Sequence, residues 1–152
     1  MALVALGVTG AKAQSLTKVK YRGDFTLPFQ AQWGAMTLPA GDYTLQYGRL
    51  EFSGPWFVEI AGTIEGSPHG LILTRTPVEA AGTKTKNAIV CVRQGGVGIV
   101  RTLNLPEIGR SISFKMPHGL QLVTRIQDGY TNTLLAGGPL LVQRVPITAG
   151  AK

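Results

Sequence analysis

His69 and His118 are the only histidines in the chain, and each sits in the same trio, Pro-His-Gly, ahead of a run that ends in Thr-Arg: PHGLILTR at 68–75 and PHGLQLVTR at 117–125. An imidazole can act as a base, a proton shuttle or a metal ligand. A metal takes three or four ligands at fixed spacing, and neither histidine has a Cys or carboxylate cluster beside it. Pro-X-Gly suits a β-turn with proline at the first central position. The expectation is therefore two similar turns; a duplicated hairpin presenting both rings at one end is the alternative. Gln94-Gly95-Gly96-Val97-Gly98 lacks the Lys-Ser/Thr and the helix of a phosphate loop, so its glycines read as a hairpin turn. Ser15, Ser53, Ser67, Ser111 and Ser113 have no nucleophile-elbow context, and the eight carboxylates are dispersed. No catalytic, cofactor-binding or metal-binding residue is assigned, no cofactor is implied, and an enzyme is not expected.

Two further groups of residues bear on binding. Trp33 and Trp56 are candidates for a ligand platform, since the adjacent Trp56 and Phe57 must point to opposite faces of a strand. Lys18, Lys20 and Arg22, with Lys84 and Lys86, are the local basic clusters within a formal net charge of +7. Alternating cations along a strand guard a sheet edge. They also attract an acidic polysaccharide surface, whereas a nucleic-acid partner is not expected. Cys91 lies within the apolar run 88–92 and reads as a small buried hydrophobe.

The elements that position these residues are short. Twenty glycines and nine prolines punctuate 152 residues that are 44% apolar and 15% charged, which excludes disorder, a coiled coil and a helical bundle. No apolar run reaches the ~18 residues of a membrane helix. Strand-like segments recur between turn signals. Residues 17–22 alternate an apolar and a basic face. Residues 25–33 read as one strand in which Pro28 needs an edge or a bulge. Residues 42–47 and 49–53 follow a Leu-Pro-Ala-Gly turn, with Gly48 as a tight break between them. Residues 88–93 and 97–105 form a hairpin, and 111–116 and 120–127 flank the second Pro-His-Gly trio. Pro106-Glu107-Ile108 has room for one helical turn. The fold class is all-β, an antiparallel sandwich or barrel of roughly eight to ten short strands.

The ends of the chain differ from its middle. Residues 1–13 read as an export signal, with Ala11-Lys12-Ala13 as the cleavage site, although the basic start of such a signal is missing. The implied route is Sec-type export to the cell exterior, with the periplasm as second choice. Residues 14–133 form the β domain, and 134–152 an apolar C-terminal strand. From 129 to 151 the only charge is Arg144. Leu134, Leu135, Leu140, Leu141, Val142, Val145 and Ile147 are the candidate assembly residues. They would form either the last strand of the domain's own sheet or a strand donated to a neighbouring subunit, with Gly137-Gly138-Pro139 as the hinge.

FTLPFQAQWG (25–34), TLPAGDYTL (37–45), AIVCVRQGG (88–96) and LLVQRVPI (140–147) together resemble small exported β-rich proteins of unassigned function that are numerous in acidobacteria. The resemblance covers most of 14–148 and implies a compartment and a fold but no activity. The functional expectation is a secreted, non-enzymatic structural protein that self-assembles into filaments by donor-strand exchange, as a homo-oligomer or polymer. The alternative is a secreted binding module for surface polysaccharide or an apolar ligand.

Overall fold

The computed structural model describes residues 17–51, 53–74, 77–79, 86–94, 96–115, 122–127, 130–135, 138–139 and 141–150; at 79, 94 and 122–139 it describes backbone alone. Period-two patterning builds the first strand. β1 (Thr17–Leu27) buries Tyr21, Gly23, Phe25 and Leu27 and leaves Lys18, Lys20, Arg22, Asp24 and Thr26 exposed. The strand expected over 25–33 is divided at Pro28-Phe29. Proline has no N–H to give to a ladder, and there the chain leaves one sheet for the other, to form β2 (Gln30–Trp33). Phe29 fills the corner. Its ring lies against Gly98, where a Cβ would overlap it, and the Arg93 guanidinium sits 4.4 Å from its centroid.

The remaining strands are β3 (Met36–Leu38), β4 (Gly41–Leu50), β5 (Trp56–Gly62), β6 (His69–Thr74), β7 (Val78–Glu79), β8 (Ala88–Gln94), β9 (Val97–Leu105), β10 (Arg110–Ser113), β11 (Leu122–Gln127), β12 (Tyr130–Leu135), β13 (Gly138–Pro139), β14 (Leu141–Pro146) and β15 (Thr148–Ala149). A 3-10 turn at Pro106–Ile108 occupies the expected helical turn. One sheet is ordered β15-β1-β4-β5-β6. The second is ordered β14-β8-β9-β10-β7, with β2 running parallel to the start of β9 and β3 paired on β2. Inward side chains of both sheets meet in one core that includes Trp33, Leu45, Tyr47, Ile60, Ile89, Leu103, Leu105 and Ile112. The protein is a β-sandwich. It has more strands than the alternation of residues implies, because several are bridges of two to four residues whose pairing comes from tertiary contact.

Of three local readings, two change and one is met. Gly48 does not break the chain: β4 runs through it to Leu50. A Cβ there would strike the Lys18 carbonyl and lie 3.0 Å from the Phe57 ring, so the glycine admits both the β1 bulge beside Val19 and an aromatic ring. The hairpin of β8 and β9 forms as expected, with Gln94 opposite Val97. The segments flanking the second Pro-His-Gly trio do not pair with each other. β10 pairs with β9 and β7, while β11 pairs with β12 in a separate three-stranded sheet, β11-β12-β13. No helix among the described residues is long and apolar enough to cross a membrane.

Candidate functional site

Of the residues with catalytic potential, the structure brings together His69 and Glu59. His69 lies on the exposed outer face of β6, with Nε2 2.8 Å from Glu59 Oε1 on β5. His118 lies outside the described residues. Among the described residues no group of three or more His, Cys, Asp or Glu is placed to hold a metal ion. Cys91 is fully buried, and burial pushes its thiol up to about 12, far from the thiolate a nucleophile requires.

The expected two-ring platform is not formed. Trp33 is 0% exposed at the end of β2, its ring 5.3 Å from Phe114 in an edge-on contact and 6.3 Å from Phe25. It has entered the core because β2 crosses into the second sheet, which gives the ring both layers to pack between. Trp56 is half-buried on the inner face of β5, stacked on Tyr47 at 5.2 Å and 7°, with the Arg49 guanidinium 5.5 Å from its ring. Phe57 takes the opposite face, as alternation demands, yet is 1% exposed because it lies over Gly48. The basic row Lys18, Lys20 and Arg22 faces solvent along β1.

The C-terminal segment has the most consequential geometry. β14 pairs antiparallel with β8 from Leu141–Arg93 to Pro146–Ala88, at the edge of the second sheet. Two residues on, β15 pairs with β1 at Gly23 and Asp24, at the edge of the first sheet, and Gly150 N–H donates to the Arg22 carbonyl. The end of the chain thus closes both layers. Val145 (2%) and Ile147 (7%) enter the core, while Leu141 (60%) and Val142 (50%) remain exposed on the outermost strand. Leu134 and Leu135 belong instead to β12, opposite Val123 and Leu122, and Leu140 lies outside the described residues. The seven candidate residues therefore do not form one strand. Of the expected hinge, Gly138 and Pro139 are paired as β13 with Leu135 and Leu134.

Asn87 locks the crossing point between β14 and β15. Its amide donates to the Tyr21 hydroxyl (2.9 Å) and to Glu107 Oε2 (2.7 Å), and its side-chain oxygen accepts the Glu107 N–H (3.3 Å). Its backbone carbonyl accepts the Ile147 N–H at 3.0 Å. The sequence carries no periodic signal for this residue, which sits at the end of a loop-like stretch. The chain matches no family model, no curated protein and no solved structure.

Proposed function

We propose that the protein is an exported, non-enzymatic structural subunit that assembles into extracellular filaments by exchanging its C-terminal strand between copies. The observation that carries this reading is that 141–150 complete both sheets from edge positions, with only Val145 and Ile147 fully inserted. Withdrawing the segment breaks no pairing inside either sheet. The same segment from a second copy would restore every bond that is lost. Exchange of an identical element is a low-cost route to assembly, and a head-to-tail series that does not close gives a filament. The cations of β1 would keep the edge beyond β15 from pairing indiscriminately.

Size-exclusion chromatography with negative-stain microscopy of the secreted protein tests the reading. Polymers are expected to grow with concentration. A chain ending at residue 139 is expected to form none, and to bind an added peptide of residues 140–150 one to one. Monomers alone at every concentration, or polymers from the shortened chain, would contradict the proposal.

A further inference from the structure

Where the chain leaves β14 for β15 it borders a cavity of about 190 Å³ lined by Lys86, Asn87, Ala88, Arg144 and Pro146. Ala88 and Pro146 are cross-strand partners on β8 and β14 and give the cavity apolar walls. Asn87 and Ala88 are buried at its floor, while Lys86, Arg144 and Pro146 are exposed at its mouth. Among the described residues neither cation has a carboxylate within ion-pair distance. Glu107 reaches the same corner, but its carboxylate accepts from the Asn87 amide at 2.7 Å. Both amide protons of Asn87 are committed, one to Tyr21 and one to Glu107, so its side chain has none to give to the cavity. The side-chain donors at the cavity are therefore one ammonium and one guanidinium.

Two like charges at one opening repel each other, and an anion between them removes the repulsion and accepts charge-assisted hydrogen bonds from both. A guanidinium fork fits the two oxygens of a carboxylate. The cavity is larger than one water fills and smaller than the roughly 300 Å³ at which pockets for drug-sized ligands begin. Its apolar walls favour a carbon body over a bare ion. We propose that this cavity binds the carboxylate of an organic acid no larger than one sugar ring, with Lys86 and Arg144 as donors and with Ala88 and Pro146 against the body of the ligand. Two sources share that chemistry: a free sugar acid, and a uronic-acid unit of an acidic polysaccharide. Lys86, Asn87 and Ala88 belong to the body of the sandwich, Arg144 and Pro146 to the C-terminal strand. In the exchanged assembly proposed above, on which this consequence rests, the two cations come from different copies. A bound carboxylate then ties the strand of one copy to the body of the next and strengthens assembly.

Titration calorimetry of the full chain at low, matched ionic strength uses galacturonate, trigalacturonate and neutral galactose as probes. Both acids are expected to bind, and galactose is not. Tighter binding of the trimer assigns the polysaccharide as the source, and equal binding assigns the free acid. Lys86→Gln and Arg144→Gln are each expected to weaken binding about tenfold, the loss of roughly one hydrogen bond to a charged group. Their urea midpoints should not move, because both side chains are exposed. Lys20→Gln removes the same charge from the row on β1 and is expected to leave binding unchanged. Light scattering of the same samples is expected to show polymers at lower protein concentration with galacturonate than with galactose. No binding of either acid, equal binding of galactose, or an equal loss in Lys20→Gln would overturn the cavity as an acid site, whether or not polymers form. Polymers whose onset galacturonate does not shift would overturn the bridging alone. Acid binding by a chain that stays monomeric at every concentration would uphold the cavity as a site within one chain and overturn strand exchange, and the bridging with it.

Discussion

Asn87 is the residue on which the closure of the sandwich turns. It is 8% exposed, and its side chain ties β1 to the 3-10 turn while its backbone holds Ile147. Asn87→Ala would leave the Tyr21 hydroxyl without this donor and the Glu107 carboxylate without a charge-assisted bond. The expected cost is about 2–3 kcal/mol, read as a lower urea midpoint with an unchanged slope. A lone asparagine at a loop end carries no pattern, and its hydroxyl partner is 66 residues away, so this lock was not legible in the sequence. Cys91 was legible, because its β-branched neighbours place it in a strand. Its thiol and the Tyr47 hydroxyl are both raised by burial, from 9.0 and 10.0 to about 12. An acid raised in this way keeps its proton in the folded chain after the unfolded chain has lost it. The resulting stability is complete below about pH 9 and is lost as pH rises towards about 12. Tyr21 and Tyr43, also raised by burial, add to the upper part of that window. Urea midpoints measured against pH should fall through this range, and Cys91→Ala should remove the earliest part of the fall, a slope of at most about 1.4 kcal/mol per pH unit. An unchanged onset in that variant would exclude the thiol as its cause.

At the scale of elements, the strands whose alternation reads cleanly are the ones that recur in the structure. β1 and the β8–β9 hairpin follow from period two and from a Gly-Gly turn. What the sequence hides is where glycine serves packing instead of turning. Gly48 looks like punctuation between two segments, but β4 continues through it because the Phe57 ring and the Lys18 carbonyl occupy the space of its missing side chain. Gly48→Ala is expected to force the ring and the β1 bulge apart and to cost about 1–3 kcal/mol, as overpacking does. Chemical denaturation measures this, and a neutral result would mean that the bulge can relax. The parallel pairing of β2 with β9 was equally hidden, since it depends on the chain changing sheets at Pro28-Phe29. That change of sheet also decided the candidate platform: it carried Trp33 into the core and left Trp56 alone at the rim.

For the whole molecule, the sparsely charged C-terminus has a definite place. It is neither a free tail nor one long strand, but a short segment that finishes one sheet as β14 and the other as β15. Its apolar composition follows from that position, with Val145 and Ile147 inside and Leu141 and Val142 on the outermost strand. Periodicity within one chain carries no signal for the strand exchange proposed above. The direct measurement uses Val90 and Arg144, cross-strand partners of β8 and β14, at a spacing that suits a disulfide. In a Cys91→Ala background, Val90→Cys and Arg144→Cys are oxidised after concentration and run on a non-reducing gel. Strand exchange predicts a reducible ladder of dimers, trimers and longer products. A single monomer-sized band with both thiols consumed would show that each chain keeps its own last strand, and would contradict the proposed function.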